Sequence, residues 1–216
     1  EKAGINKYLW LSSTTGYPQL DRPLLEEDYF DSDPPSPYEP VGWMSRYIEK
    51  LSSLYSTKTN NPMTVICLRP TAIYGEHDNY DFQTCHVLPA LIRRVVERFS
   101  PIEIWGSGED TRDWLYIEDL IDACLLALEN IDGYVALNIC NGKSYSVNQL
   151  LENLLDIDGY NDAQIVYNRK NNSQEIKREF DYSLAEKLIS FKAKTPIDFG
   201  LKQTLYWYKK SKLIKE

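Results

Sequence analysis

The sequence of 216 residues has no long apolar run, few cysteines and only two histidines. No segment approaches the roughly 20 apolar residues of a membrane-spanning helix, so no membrane contact is predicted. The cysteines lie far apart without a CxxC pair and give no sign of a metal site or a disulfide framework. A reducing, cytoplasmic location is therefore expected. The cysteines are Cys67, Cys85, Cys124 and Cys140.

Positive charge is also scarce. The chain has 24 Lys and Arg against 32 Asp and Glu, which gives a net charge of -8. This balance argues against a general basic surface for nucleic acid, while a local basic pocket for phosphate stays compatible with it. The apolar fraction of 43% and the charged fraction of 26% are those of an ordinary globular protein, so a packed core is expected.

Both histidines, His77 and His86, follow the apolar run Val65–Leu68. Arg69 and Pro70 close this run, so we expect a buried strand to end there, a polar loop to follow, and a helix to begin near His86. In open α/β sheets the loops after strand ends are where ligands bind. The imidazoles, whose ordinary pKa lies near neutral pH, therefore lie where chemistry is expected.

Strands alternate with helices along the chain, which predicts βαβ units and an α/β fold with a doubly wound parallel sheet. The strands at 7–12, 63–68 and 134–139 should be adjacent and parallel, with a helix at 41–57 packed on one face. Because the first strand begins almost at the first residue, we expect the sheet to be incomplete, lacking an N-terminal portion. Further strands are expected at 102–105, 113–117 and 164–167, and further helices at 86–99, 118–130, 146–156, 183–189 and 198–212. Loops are expected at 18–40, which is rich in proline, at 70–84 and at 168–178.

Three segments carry motifs in a specific order: Leu9–Pro18, Leu68–Gly75 and Trp105–Leu120. In this order and spacing they resemble the extended short-chain dehydrogenases/reductases, the NAD-dependent epimerase/dehydratase family that acts on nucleotide sugars. Within that family, the segment His77–Arg94 is most similar to the GDP-L-fucose synthases. These enzymes epimerise a GDP-4-keto-6-deoxy-hexose at two carbons and then reduce the ketone with NADPH.

The resemblance implies a Rossmann-like sheet with a smaller C-terminal mixed α/β lobe. Residues 1–75 would be the C-terminal half of the dinucleotide-binding domain and 76–216 the substrate-binding lobe, with 134–145 a candidate to return to the first sheet. The implied cofactor is NAD or NADP, bound weakly by this chain alone, and the implied partner is a nucleotide-sugar substrate. A homodimer through the helix at 41–57 is implied as well.

The resemblance also implies roles for individual residues. Ser13 matches the catalytic serine that hydrogen-bonds the sugar oxygen, and His86 matches the general acid of epimerisation. Thr15 stands where the synthases have the cysteine that is the acid/base partner of that histidine. The implied nucleotide-sugar ligands are Arg94, Trp105 and Arg112. The implied cofactor contacts are Ser12, Ser13, Pro70, Thr71, Ala72 and Ile73. No metal site is expected.

Several departures from the family pattern bear on function. The family's Tyr-x-x-x-Lys pair falls on Val41 and Ser45, which cannot exchange protons; Tyr38 and Arg46 are nearby substitutes. A hydroxyl at Thr15 cannot replace a thiol as proton carrier, so epimerisation at one carbon is expected, with Cys85 the alternative carrier.

The glycine-rich motif that cradles a cofactor pyrophosphate is also absent from the sequence. Three interpretations therefore stay open. The chain is an epimerase/reductase of nucleotide sugars, a degenerate member that binds a nucleotide sugar without hydride transfer, or a 4-epimerase or dehydratase acting on another nucleotide sugar.

Overall fold

The computed structural model describes residues 4–169 and 177–213. Strands and helices alternate, as the sequence predicts. The strands are β1 (Lys7–Leu11), β2 (Thr64–Pro70), β3 (Ala72–Tyr74), β4 (Ile102–Trp105), β5 (Thr111–Tyr116), β6 (Tyr134–Ile139), β7 (Ser144–Ser146) and β8 (Ile165–Asn168). The helices are α1 (Glu39–Thr57), α2 (Val87–Val96), α3 (Ile117–Asn130), α4 (Val147–Asp158), α5 (Ser183–Ile189) and α6 (Ile197–Leu213).

The contacts divide the chain into two compact units. The first contains the described residues of Glu1–Ala72, Glu118–Lys143 and Arg178–Lys194, and the second those of Ile73–Ile117, Ser144–Lys177 and Thr195–Glu216. The first unit thus takes in α3, β6 and α5, whereas the sequence-based boundaries placed everything after residue 75 in the second lobe apart from the candidate return of 134–145. Helix α3 directly precedes β6 in the chain and α5 packs against β6, so a boundary that returns only 134–145 to the first sheet misses both helices.

The first unit is built on a parallel sheet with the strand order β1-β2-β6. In its register Leu9 pairs with Ile66, and Ile66 in turn pairs with Val135. The prediction of three adjacent parallel strands is confirmed, and α1 packs against β2 and β6. Strand β2 is buried along almost its whole length, as a strand with neighbours on both sides requires.

Helix α1 buries a polar face. Gly42, Ser45, Arg46, Glu49 and Ser52 are its buried residues and recur at helical spacing. The apolar residues, which the sequence would place toward a core, are instead exposed. These exposed side chains are Val41, Trp43, Met44, Tyr47, Leu51, Leu54 and Tyr55.

A fully buried ion pair explains this inverted helix. Arg69 of β2 donates from Nη2 to Oε2 of Glu49 at 2.6 Å and from Nε to Oε1 at 3.0 Å. Both side chains are almost completely shielded from solvent. Burial lowers the pKa of the Arg69 guanidinium, but the hydrogen bonds and charge of Glu49 outweigh this and hold the pKa above its ordinary value. The charge therefore stays, and α1 must turn Glu49 toward the sheet to match it.

The second unit contains an antiparallel sheet and a parallel strand pair. Its strand orders are β3-β5-β7 and β4-β8, and helices α2, α4 and α6 pack against one another. The carboxylate of Asp158, at the end of α4, is buried and pairs with Arg98 and Lys209. Leu88, Leu91, Leu150, Leu154 and Leu201 belong to its buried core.

Several predicted elements differ from the observed ones. The segment 70–84 was expected to be a loop, but Ala72–Tyr74 is strand β3. The Pro-rich segment 18–40 contains two 3-10 turns. Glu26–Phe30 has no proline, and Ser36–Tyr38 has Pro37 in its first turn, where proline is tolerated. The polar loop predicted at 168–178 lies largely outside the described residues.

Among the described helices, none is long and apolar enough to cross a membrane. Within the same residues, no group of three or more His, Cys, Asp or Glu side chains is arranged to hold a metal ion.

We predict that breaking the buried ion pair is strongly destabilising. Glu49→Leu leaves the Arg69 charge unpaired and should lower the free energy of unfolding in urea by about 3–5 kcal/mol. The double variant Glu49→Leu/Arg69→Met should lose clearly less than the two single variants combined. Asp122→Ala, which breaks the exposed pair with Lys194, should change stability by no more than about 1 kcal/mol. Additive losses from the two buried residues would contradict this account.

Candidate functional site

The loop after β1 carries the first group of predicted site residues. It leaves the carboxyl end of the parallel sheet, where open α/β folds bind ligands. Ser13 caps the short 3-10 turn Thr14–Gly16 and accepts a hydrogen bond from the amide of Thr15 at 3.1 Å. The hydroxyl groups of Ser13 and Thr15 lie 2.8 Å apart and share a hydrogen bond. Two hydroxyls, both on half-buried residues, thus lie side by side.

Buried donors hold the backbone carbonyls of this loop. Tyr29 donates to the carbonyl of Ser13 at 2.9 Å, and Arg46 donates from Nε to the carbonyl of Gly16 at 2.8 Å. Burial raises the pKa of Tyr29 to about 12, so its phenol remains protonated and able to donate at neutral pH. The last donor, Arg178, binds the carbonyls of Thr14 at 3.0 Å and of Tyr17 at 3.2 Å.

Helix α1 approaches this loop closely because it has a glycine at the contact. A Cβ atom on Gly42 would lie 2.8 Å from the carbonyl oxygen of Thr15 and 2.7 Å from Pro34. Any larger residue at this position would displace the loop or the Pro-rich segment. The close packing therefore fixes the loop from the helix side.

The predicted cofactor residues divide according to their surroundings. The hydroxyl of Ser12 is buried and donates to Glu49 at 2.5 Å, so its side chain belongs to the ion-pair network rather than to a ligand surface. Pro70 ends β2, and its carbonyl accepts from the Thr14 hydroxyl at 3.3 Å. The amide of Thr71 donates to Ile139 at 3.0 Å. Ala72 and Ile73 open strand β3, not a loop, and Ile73 is exposed.

The family's tyrosine and lysine positions hold no proton carrier. Val41 is 48% exposed and Ser45 is buried on α1. The proposed substitute Arg46 is consumed by the carbonyls of Gly16 and Ser32, so it cannot act as the missing lysine. The other substitute, Tyr38, is half-buried, and the guanidinium of Arg178 lies 4.9 Å from its ring centre.

The second group of predicted residues lies in the second unit. His86 caps α2 with its backbone, and its side chain is exposed. Within the described chain its imidazole makes no hydrogen bond. Neighbouring Cys85 is half-buried, and burial raises the pKa of its thiol, which makes it a poorer proton donor to a ligand. His77 instead packs against Trp207 with the two rings tilted and their centres 4.6 Å apart.

Two arginines of this unit have guanidinium groups without a hydrogen-bond partner among the described residues, Arg94 of α2 and Arg112 of β5. Burial lowers the pKa of Arg94, and the nearby Glu103 opposes that effect. Trp105, at the end of β4, is 62% exposed and does not belong to the core. Beside it lies an open depression of about 550 Å³ lined by Glu103, Val166, Tyr167, Asn168 and Arg169.

Sequence reasoning missed Tyr29, Glu49 and Arg178. None of them belongs to a motif that resembles the family, and each acts through backbone carbonyls or another buried side chain. Glu49 lies on the helix face opposite the apolar side chains, where a glutamate ordinarily faces solvent, so its burial left no signal in the sequence. Nothing in the sequence places Arg178 near residues 14–17, because more than 150 positions separate them.

A sequence model described as the NAD dependent epimerase/dehydratase family matches residues 1–140. Since the match covers more than half of the chain, the protein belongs to this family. Its α/β architecture with parallel strands agrees with the predicted fold class.

Individual proteins of known name are similar to the chain over most of its length. The putative GDP-L-fucose synthase 2 of Arabidopsis thaliana is 28% identical over 214 residues, which cover 95% of this chain and 63% of that protein. A UDP-glucose 4-epimerase of Thermotoga maritima, solved with UDP-glucose, has a TM-score of 0.82 at 26% identity, over 97% of this chain and 65% of that one.

A GDP-L-fucose synthetase of Naegleria fowleri bound to NADP has a TM-score of 0.89 at 20% identity, over 98% of this chain and 66% of that one. At this identity the likeness shows the fold alone. The chain spans 62% to 65% of the length of the probable GDP-L-fucose synthase 1 of rice and of the two Arabidopsis GDP-L-fucose synthases that it matches.

Proposed function

We propose that the protein is a nucleotide-sugar epimerase/reductase acting on a 4-keto-6-deoxy-hexose nucleotide. The observation that carries the proposal is the pair of arginines, Arg94 and Arg112, whose guanidinium groups have no hydrogen-bond partner in the described structure, in the same unit as exposed Trp105. An arginine fork matches the oxygens of a diphosphate with two parallel hydrogen bonds. The names of the curated relatives, GDP-L-fucose synthases, support a nucleotide diphosphate as the group recognised.

The proton chemistry is assigned to His86 and Ser13. Removing a proton beside a ketone needs a side chain that titrates near the working pH, which is the property of an imidazole. Ser13 would hydrogen-bond the sugar oxygen as the negative charge develops there. Thr15 shares a hydrogen bond with Ser13 and would support its orientation rather than carry a proton.

A nicotinamide cofactor, NAD or NADP, is proposed with this activity, and it would supply hydride for the reduction. The described residues fit its nicotinamide end, since Ser13 and Pro70 lie together at the carboxyl edge of the sheet. They do not offer a glycine-rich cradle for its pyrophosphate. We therefore expect weak cofactor binding by the 216 residues alone.

A second candidate function is binding of a nucleotide sugar without reduction. Val41 and Ser45 favour it, because neither side chain can protonate the oxygen of a ketone as it is reduced. This candidate shares the arginines and Trp105 with the leading proposal. The two candidates differ in proton exchange at the sugar, which only the enzyme catalyses.

We predict that Arg112→Ala weakens binding of GDP and of a GDP-sugar alike. Losing a charge-assisted phosphate contact costs about 1.5–3 kcal/mol, or roughly 10- to 150-fold in affinity. Isothermal calorimetry measures both ligands. Arg98→Ala is the matched control, because the Arg98 guanidinium binds the Val95 carbonyl and Asp158. Unchanged GDP affinity in the Arg112 variant would show that this residue does not hold phosphate.

The proposed function is tested by deuterium wash-in from D₂O into a 4-keto nucleotide sugar. The wild-type protein should exchange one carbon-bound hydrogen next to the ketone, and His86→Asn should slow this exchange by roughly 100-fold or more. His77→Asn is the control, because asparagine tolerates the left-handed backbone of His77. Binding without exchange by the wild type would favour the second candidate, and exchange at the parent rate in His86→Asn would remove that residue's role.

We further propose a homodimer through α1. Its exposed apolar stripe, Val41 to Tyr55, includes Tyr47 at 68% and Met44 at 58% exposure. A contiguous apolar surface of this kind marks an interaction site, and a second copy presents the same surface to it about a two-fold axis.

The dimer should separate when charge is placed on the stripe. Met44→Glu/Tyr47→Glu should sediment as a monomer in velocity ultracentrifugation at concentrations where the wild type is a dimer, because two-fold symmetry doubles each repulsion. Tyr206→Glu on α6 alters a comparably exposed tyrosine and should leave the dimer intact. A monomeric wild-type protein would refute the proposal.

A further inference from the structure

Of the side chains that hold the loop after Ser13, that of Arg178 is the most distant in sequence. Its Nη1 and Nη2 atoms donate to the carbonyls of Thr14 and Tyr17, on either side of the 3-10 turn. The same turn is closed by the amide of Tyr17, which donates to the Thr14 carbonyl at 3.2 Å. One planar guanidinium therefore spans both ends of the turn, a task that suits its rigid fork of donors.

The backbone that follows Arg178 is fixed by hydrogen bonds. The amide of Leu24 donates to the carbonyl of Glu179 at 2.9 Å, and the amide of Asp181 donates to the carbonyl of Leu24 at 3.0 Å. The side-chain amide of Asn138 donates to the carbonyl of Asp181 at 3.0 Å. The guanidinium is thus held at a defined distance from the turn.

Other surroundings of Arg178 fit a supporting role. The ring of Tyr38 lies beside its guanidinium, and burial lowers the pKa of Arg178. No carboxylate among the described residues forms a salt bridge with it, so its positive charge is balanced mainly by carbonyl dipoles of the loop. Charge-assisted hydrogen bonds are stronger than neutral ones, which makes this contact stiff.

We propose that Arg178 is a positioning residue that fixes the turn after Ser13 and thereby orients the hydroxyl groups of Ser13 and Thr15 toward a bound sugar. The inference rests on the proposed function of Ser13. A misplacement of a reacting group by about 1 Å can cost roughly 100-fold in rate. Loosening the turn should therefore lower the rate of proton exchange at the sugar far more than the affinity for the nucleotide.

The loop is tested first without any reaction. In hydrogen–deuterium exchange of the full protein, Arg178→Ala should speed exchange in the peptide that covers residues 12–18, and millimolar guanidinium ion should restore protection by filling the vacated space. Arg98→Ala is the matched control, since Arg98 also binds a carbonyl and lies 4.7 Å from the ring centre of Tyr160. It should leave this peptide unchanged with or without guanidinium.

The kinetics of deuterium wash-in then distinguish a positioning role of Arg178 from a purely stabilising one. Arg178→Ala should lower kcat for deuterium wash-in by roughly 10- to 100-fold with KM for the nucleotide sugar within about threefold, and guanidinium should recover part of the loss. Arg178→Lys, the variant to use if Arg178→Ala does not fold, should keep an intermediate kcat, because an ammonium group can hold one carbonyl but not both.

Three results would overturn the proposal. A raised KM with unchanged kcat would mean that Arg178 contacts the substrate itself. Unchanged exchange in peptide 12–18 would mean that it does not hold the turn. A lowered kcat that guanidinium does not recover, together with exchange raised across the whole first unit, would mean a purely structural role. If the wild-type protein catalyses no wash-in, the proposed function fails. Hydrogen–deuterium exchange in peptide 12–18 then decides by itself whether Arg178 fixes the turn.

Discussion

The ion pair between Glu49 and Arg69 is the constraint on which the first unit depends. A charge buried in β2 requires a partner of opposite charge, and only a helix that turns its polar face inward can supply it. That requirement leaves the apolar residues of α1 in solvent, where they would form the proposed dimer surface. It also brings the Ser12 hydroxyl and the Tyr29 ring into the same network. The core polarity and the exposed stripe thus have one cause, and the same network reaches the Ser13 loop through Tyr29.

Much of the framework could be predicted from the sequence, because hydrophobic periodicity determines it. The apolar runs at β1, β2 and β6 identified three parallel strands, and their order is as expected. The helices were located to within a few residues. Periodicity fails where burial is not apolar: on α1 it identified the helix correctly but not its buried face. It fails also at β3 and β7, which are three residues long and give no periodic signal.

The candidate site divides in the same way. Residues that lie in motifs, such as Ser13, His86 and Arg112, could be named from the sequence because the family pattern carries them. Residues whose side chains bind backbone carbonyls could not be named from the sequence. Every residue has a carbonyl acceptor, so the sequence does not show which carbonyl a distant side chain will bind. Tyr29 and Arg178 are of this second kind. Their partners are the carbonyls of Ser13, Thr14 and Tyr17, which only the folded chain brings within reach.

The described residues support the two steps of the proposed reaction, proton exchange and reduction, to different extents. Proton exchange beside an existing ketone needs an acid/base group and a hydrogen bond to the sugar oxygen, roles that the proposal assigns to His86 and Ser13 respectively. Reduction needs in addition an acid strong enough to protonate an alkoxide, and an aliphatic hydroxyl is a much weaker acid than a phenol. With Val41 and Ser45 at the tyrosine and lysine positions, and Arg46 bound to two carbonyls, the proposed epimerisation would keep His86 and Ser13 but not the cysteine, and reduction would depend on another proton donor. Among the described residues Tyr38 is the phenol nearest in sequence to the lost position, and the residue beside its ring is Arg178.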